Sequence, residues 1–326
     1  MRSIEDLLRR FLAGDRAALS RIITLVENRD DGYAEILDRI FPATGRAYRI
    51  GITGPPGAGK SSLVASLVKV LRAGEARVGV IAVDPTSPFT GGALLGDRIR
   101  MQDIGCDPGV FVRSMATRGS LGGLAEAARD VADVMDAFAN DFVITETVGV
   151  GQCELDIAEA CHTTVVVIVP ESGDSVQAMK AGLMEIADII AINKSDREGA
   201  DRIATETRAM LEMRGPGAGG VGSAHAVPAW HVPVLKTIAS RGEGMVELRD
   251  AIQEHREFLD VSGMLEAHRR SNVEATIRGV VEAELRSRVW SPGRLERLET
   301  LVGKVMSGGL TPRQASREII SEIGGQ

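Results

Sequence analysis

YRIGIT at 48–53, GPPGAGKS at 54–61 and SLVASLVKVLR at 62–72 follow one another without a gap, and this stretch decides the fold. A β-branched run, a glycine-rich turn and an amphipathic helical run predict strand, loop and helix in that order. GPPGAGKS matches G-x-x-x-x-G-K-[ST] in the context the motif requires. Backbone N–H groups can wrap a phosphate only where side chains do not block them, and the following helix start adds its positive dipole end. Gly54, Pro55, Pro56, Gly57, Ala58, Gly59, Lys60, Ser61 and Ser62 are therefore the phosphate-binding candidates. Lys60 brings a point charge to the β- and γ-phosphates, and Ser61 a hydroxyl for magnesium.

Outward from the loop, short apolar runs alternate with helical patterns. The runs are RVGVIAV at 77–83, VFV at 110–112, DFVITE at 141–146, TTVVVIV at 163–169, DIIAIN at 188–193 and VPVLKTI at 232–238. Near-continuous apolar strands imply helices on both sheet faces. The expected fold class is α/β, a doubly wound, mainly parallel sheet. Residues 1–45 read as an N-terminal helical region, with one helix carrying Ile22, Ile23 and Val26 and running on to Ile36, Leu37 and Ile40. Residues 46–256 read as the nucleotide-binding domain. From 257 to 326 the pattern is helical only, with stripes at Val273, Ile277, Val280, Val281 and Leu285, then Leu295, Leu298, Leu301, Val302 and Val305. Those stripes must be covered, by the chain itself or by a second copy; the reading leans to a homodimer. RGPGAGGVGSA at 214–224 reads as a linker loop.

The chain has 326 residues, 44% of them apolar and 3% aromatic, with 38 basic and 45 acidic residues and a net charge of −7. An acidic, aromatic-poor chain suits neither phosphate-backbone binding nor base stacking, so no nucleic-acid partner is expected. Cys106, Cys153 and Cys161 form no C-x-x-C pair and read as reduced thiols. The N-terminus MRSIEDLLRRFLAGD lacks an apolar core, and TTVVVIVP is too short to span a bilayer. A cytoplasmic protein without membrane association is expected.

NKSD at 193–196 closes the strand DIIAIN. Guanine presents N1–H and the 2-amino group side by side as donors, and one Asp196 carboxylate can accept from both. Adenine would set an acceptor against it, a mismatch that rejects the wrong base. The stem of Lys194 can lie along the base, and Asn193 can brace the loops. KTIAS at 236–240 places a backbone contact to guanine O6 near Ala239.

ETVGVGQ at 146–152 ends another strand. Glu146 is assigned to magnesium and the Gly149 amide to sensing the γ-phosphate. Asp97, within FTGGALLGDRIRM at 89–101, is also assigned to the metal. Lys60, Asp97 and Glu146 form the catalytic set. Asp84, in AVDPTS at 82–87, is open between magnesium ligand and helix cap. Val150 follows Gly149 where a water-aligning glutamine would stand, and Gln152 comes later, so slow intrinsic hydrolysis is expected. Arg113 and Arg118 read as loop residues, open between phosphate contact, pairing with switch carboxylates and solvation. Asp174 and Lys180, in ESGDSVQAMK at 171–180, suggest a third nucleotide-sensitive loop.

GPPGAGKS, AVDPTSPFTGGALLGDRIRM, RSMATRGSLGGL, ETVGVGQCE, PESGDSVQAMKAGLMEIAD and NKSD occur in this order. The set resembles the MeaB/ArgK-type GTPases, G-protein chaperones of methylmalonyl-CoA mutase, over nearly the whole chain. The resemblance implies a P-loop GTPase of the signal-recognition-particle class and a homodimer through the C-terminal helices. It also implies an adenosylcobalamin-dependent acyl-CoA mutase as partner, with GTP turnover gating cofactor loading and protecting the mutase. It places Lys60, Ser61, Asp97, Glu146, Asn193, Lys194 and Asp196 in the GTP/GDP and Mg2+ site. Gln152, Asp174 and Lys180 fall in the segments that signal to the partner. No D-x-H-x-x-G is present, so the chain alone is not expected to bind cobalamin. Two other readings stand beside this one. A transport-associated (arginine/ornithine) kinase or ATPase is disfavoured by NKSD, and a metallocentre-assembly GTPase would call for His/Cys clusters.

Overall fold

The computed structural model describes residues 4–85, 102–117, 121–147, 160–170, 183–214 and 229–322. Three helices come first: α1 (Ile4–Leu12), α2 (Arg16–Asn28) and α3 (Tyr33–Ile40). The single long helix expected after residue 20 is thus two. Arg29 turns left-handed at φ 54° and Gly32 at φ 87°, which a continuous helix cannot accommodate. Asp15 caps α2 by accepting from the amides of Ala17 and Ala18.

Strand β1 (Tyr48–Thr53) leads to α4 (Lys60–Ala73), β2 (Val78–Pro85), the short α5 (Gln102–Gly105), β3 (Val110–Thr117), α6 (Leu121–Ala137) and β4 (Phe142–Glu146). Then come β5 (Thr163–Ile168), β6 (Ile189–Ile192), α7 (Ala200–Arg214), β7 (Val234–Lys236) and α8 (Met245–Val261). The strands form one sheet in the order β3-β2-β4-β1-β5-β6-β7, parallel at every pairing. The chain winds outward from β1 to β3, returns to β4 beside β1, then crosses to β5 on the other side. That reversal opens a crevice at the carboxyl ends of the central strands, where such sheets bind ligands.

Side chains alternate between the two faces, as strand geometry requires. Ile50, Ile52, Val165 and Val167 join Leu63 and Leu67 of α4 and Leu248 and Ile252 of α8 in one cluster. Ile81, Val83 and Val143 turn the other way, toward Leu19, Ile22 and Ile23 of α2 and Val131 and Met135 of α6. Val166 and Ile168 pack with Ile190, Ile192 and Ile203. The N-terminal helices are therefore part of the sheet's own core.

One buried carboxylate fixes how the chain enters β1. Asp136 accepts from the amides of Gly45 at 2.8 Å, Arg46 at 3.1 Å and Ala47 at 2.9 Å. Asp136→Ala should cost about 3 kcal/mol, because three backbone donors would lose a buried, charged acceptor. Urea unfolding of the two proteins at neutral pH measures it, and a loss under about 1 kcal/mol would show that other groups satisfy those amides.

Two compact units result, residues 1–269 and 270–326. The sequence pattern suggested a helical extension from 257, a point inside α8. That helix belongs to the first unit because Leu248, Ala251 and Ile252 are buried in the sheet's core. Helix α9 (Met264–Val289) has no buried residue, and Val273, Ile277, Val280, Val281 and Leu285 are all exposed. Helices α10 (Pro292–Met306) and α11 (Pro312–Ser321) pack through Leu301, Ala315 and Ile319. Thr311 starts α11 with a capping box to Gln314. No described helix is long and apolar enough to cross a membrane.

Candidate nucleotide site

The loop between β1 and α4 needs glycine for two separate reasons. Gly54, Gly57 and Gly59 have φ of 141°, 75° and 84°, left-handed values that favour glycine. In addition, a methyl on Gly54 would drive into the Val167 carbonyl of β5, and one on Gly59 into the Asn193 amide. The loop is thereby pressed against the central strands with its backbone bare. Helix α4 begins behind it with Gly59 at the cap and no side-chain capping bond. A helix start built this way suits an anion.

Lys60 is buried and folds back over the loop, donating to Gly54 O at 2.7 Å and Pro55 O at 3.1 Å. These bonds hold the ammonium at the mouth of the glycine turn. Ser61 Oγ donates to Glu146 Oε1 at 2.6 Å, so the first turn of α4 meets the end of β4. Both residues are buried. Ser62, on the same turn, is half-buried. Thr147 adds a bond that the sequence pattern did not single out. Its hydroxyl donates to Thr53 Oγ1 at 2.9 Å, and its amide to Ile52 O at 3.0 Å. A threonine at each of two adjacent strand ends was the available signal.

Asn193 ties three segments together. Its amide nitrogen donates to Ala58 O at 2.8 Å in the phosphate loop. Its carbonyl oxygen accepts from the Ala239 amide at 3.1 Å and the Thr237 hydroxyl at 3.4 Å. The Ala239 amide, expected near a base oxygen, thus has a partner within the protein. Lys194 adopts φ 56° and reaches back to donate to Gly57 O at 2.8 Å. Asp196 is 38% exposed, and Arg241 Nη2 lies 3.6 Å from its Oδ2. Ser66 of α4 donates to Ala239 O at 2.6 Å, closing the ring of contacts.

Most of the other expected residues fall wholly or partly outside the described residues. Asp84 reaches the carboxyl end of β2 opposite Ala116 of β3; its side chain is outside the described residues. So are Asp97, Arg118, Gly149, Gln152, Asp174 and Lys180, and nearly all of the glycine-rich 214–224 stretch. Arg113 does not stand in a loop. Strand β3 continues to Thr117, and Arg113 donates from Nε to Glu27 Oε2 of α2 at 3.0 Å. It is a brace between sheet and helix, because the run after VFV keeps pairing with β2.

A second polar cluster sits at the amino ends of the strands, away from this crevice. The Tyr48 hydroxyl meets Thr163 Oγ1 at 2.6 Å, and Thr163 Oγ1 meets His255 Nδ1 at 2.9 Å. His255 Nε2 lies 3.5 Å from Asp188 Oδ1. Burial pushes the Asp188 pKa up and the His255 pKa down, so their proton linkages oppose each other. Among the described residues His162 has no such acidic counterpart. It accepts from the Arg49 amide at 3.1 Å, and burial, aided by the Arg49 charge, lowers its pKa from 6.5 to about 3. The folded protein therefore needs it neutral. Its contribution is present above pH 6.5 and is lost as pH falls from there toward 3. Between pH 7.5 and 5.5 the loss should be ~1.4 kcal/mol, read from urea midpoints. His162→Gln should flatten that slope; an equally steep slope in the variant would assign it to other groups.

Comparison with known proteins agrees with this geometry. The family model described as methylmalonyl-CoA mutase-associated GTPase MeaB matches residues 19–294. A Pyrococcus abyssi relative is 49% identical over 98% of this chain and 97% of its own. Escherichia coli GTPase ArgK is 34% identical over 97% of this chain and 96% of its own. The mouse protein named methylmalonic aciduria type A homolog, mitochondrial, is 31% identical over 97% of this chain and 78% of its own. A crystal structure of a LAO/AO transport system kinase superposes with TM-score 0.69 at 26% identity, covering 98% of this chain and 97% of the other. With a phosphate loop at the sheet's switch point and these relatives along its whole length, the chain is a P-loop GTPase and a member of the MeaB family.

Proposed function

We propose that this GTPase is a chaperone for an adenosylcobalamin-dependent acyl-CoA mutase of the methylmalonyl-CoA mutase type. In this reading GTP binding and hydrolysis gate cofactor loading and protect the mutase from inactivation. The observation that carries the nucleotide part is the Asn193 brace, with its 2.8 Å bond to Ala58 O and 3.1 Å bond from the Ala239 amide. One side chain sets the distance between a phosphate-binding turn and a base-reading carboxylate. Lys60 and the backbone N–H groups of 57–62 would hold the phosphates, and Asp196 would accept from guanine N1–H and the 2-amino group. Lys194 would lie along the base. Gly149, in the segment after β4, would sense the γ-phosphate.

The donor set suits magnesium. A hydroxyl and a carboxylate oxygen, Ser61 and Glu146, stand 2.6 Å apart at the ends of α4 and β4. Such oxygen donors match a hard cation that binds proteins through few ligands and keeps its waters and phosphates. Ser61 and Glu146, with Asp97 and Asp84 as further candidates, would hold Mg2+, which when bound neutralises charge across the β- and γ-phosphates. With Val150 after Gly149, hydrolysis by the chain alone should be slow, leaving room for a partner to accelerate it.

The partner assignment is supported by the family model's description as a methylmalonyl-CoA mutase-associated GTPase. Gln152, Asp174 and Lys180 would carry the nucleotide state to the mutase. The exposed apolar stripe from Val273 to Leu285 on α9 supports self-association into a homodimer. Cys161 is buried and Cys106 is a free exposed thiol, in keeping with work in the cytosol. GTP turnover with and without a purified acyl-CoA mutase tests the proposal. Stimulation of about tenfold or more is expected, within the range by which partners raise GTPase rates. No stimulation by any such mutase would remove the chaperone role and leave the GTPase.

A further inference from the structure

We propose that Arg241 is a specificity-determining residue of the guanine site, acting by positioning the Asp196 carboxylate; this rests on Asp196 as the base acceptor. Arg241 closes the short 3₁₀ turn Ala239–Arg241 after β7. The turn is held rigidly. The Arg241 amide donates to Ile238 O at 2.9 Å, and the Ile238 amide to Glu243 O at 3.0 Å. Gly242 and Gly244 adopt φ of 74° and 77°, and a methyl on Gly244 would meet the Lys236 carbonyl. Ala239, on the same turn, is fixed by Asn193 and Ser66. The root of the Arg241 side chain is thus set relative to NKSD by the same asparagine that sets the phosphate loop.

From that root the guanidinium spans two carboxylates. Nη2 lies 3.6 Å from Asp196 Oδ2, and Nη1 lies 3.9 Å from Glu243 Oε1. Arg241 is 60% exposed and Asp196 38%, and an ion pair so wet adds little to the stability of the fold. Its contribution grows when a ligand covers it and water leaves. Two-point reading of guanine needs both carboxylate oxygens turned to one edge of the base. An exposed carboxylate rotates about its terminal bond, and that torsion is broad. Arg241, with Glu243 3.9 Å from its other nitrogen, restricts the rotation by holding one charge on that side of the carboxylate. The second point of contact, the 2-amino group, is what separates guanine from hypoxanthine. Arg241 therefore sets selectivity for the 2-amino group more than overall affinity.

Affinities of the full-length chain for GDP and IDP test this. IDP lacks the 2-amino group and can donate to Asp196 only through N1–H. The unaltered protein should prefer GDP by about tenfold or more, the scale of one hydrogen bond to a charged acceptor. Arg241→Ala should compress that preference by about threefold or more, mainly by weakening GDP, and Arg241→Lys should restore part of it. An unchanged GDP/IDP ratio in Arg241→Ala overturns the proposal, whether both affinities fall together or neither moves. Such a result beside a selective parent protein leaves Asp196 as the base acceptor. A parent protein that binds GDP and IDP equally removes both assignments.

Discussion

Lys60→Ala is expected to lower GTP turnover by a factor on the order of 10³, with the fold retained. The magnitude follows from the site. A lysine ammonium held at the mouth of a bare glycine turn stabilises charge that shifts toward the β,γ-bridge as the terminal phosphate departs. Removing one preorganised charge of this kind costs several kcal/mol in a site screened from water. In this structure the ammonium is buried and bonded to Gly54 O and Pro55 O, which hold it at the mouth of the turn. The same bonds warn that the variant leaves two carbonyls short of a donor. Melting temperature must therefore be measured beside turnover. Full activity in a folded Lys60→Ala protein would refute the role given to the loop.

Asp196→Asn should exchange guanine preference for xanthine preference. Asparagine would set its amide hydrogens against guanine's 2-amino donors, whereas xanthine carries a carbonyl at that position and can accept. Sites that read a base edge with buried polar groups reject the mismatched edge by factors up to roughly 10⁴. Because Asp196 is part-exposed, the loss of GDP affinity should be smaller, on the order of 10²-fold, with XDP gaining by a comparable factor. Titration with GDP and XDP measures both. A variant that kept its preference for GDP would place base reading elsewhere in the crevice. The change also removes the carboxylate that pairs with Arg241. The two substitutions should therefore not add: Arg241→Ala on the Asp196→Asn background should have little further effect on the GDP/IDP ratio.

The phosphate loop was legible because its signature is local, although its close fit against Val167 and Asn193 is not. Gly54, Gly57 and Gly59 answer to their own φ angles and Lys60 to the carbonyls five and six residues before it. The strands were legible for the same reason. TTVVVI is buried at every position, and a run without polar interruption has no solvent face to expect. Boundaries were less so. The break between α2 and α3 depends on Arg29 adopting a left-handed conformation, which its identity does not announce. Arg113 was misplaced because VFV looked complete, while pairing with β2 carries the strand on to Thr117. Propensity stops where side chains turn polar, whereas a parallel ladder continues as long as its neighbour does.

By itself, then, the chain's order of residues determined the class of fold, and it marked out the turn proposed to receive phosphate and the segment proposed to read the base. Each rests on contacts a few residues apart or on periodicity within one element. Tertiary structure alone decided that β4 inserts between β2 and β1, bringing Glu146 to Ser61 across 85 positions. It also decided that Asn193 joins Ala58 across 135 positions and that Arg241 meets Asp196. Such pairings are set by the packing of helices on both faces of the sheet, because only the closed core fixes which strand ends share a crevice.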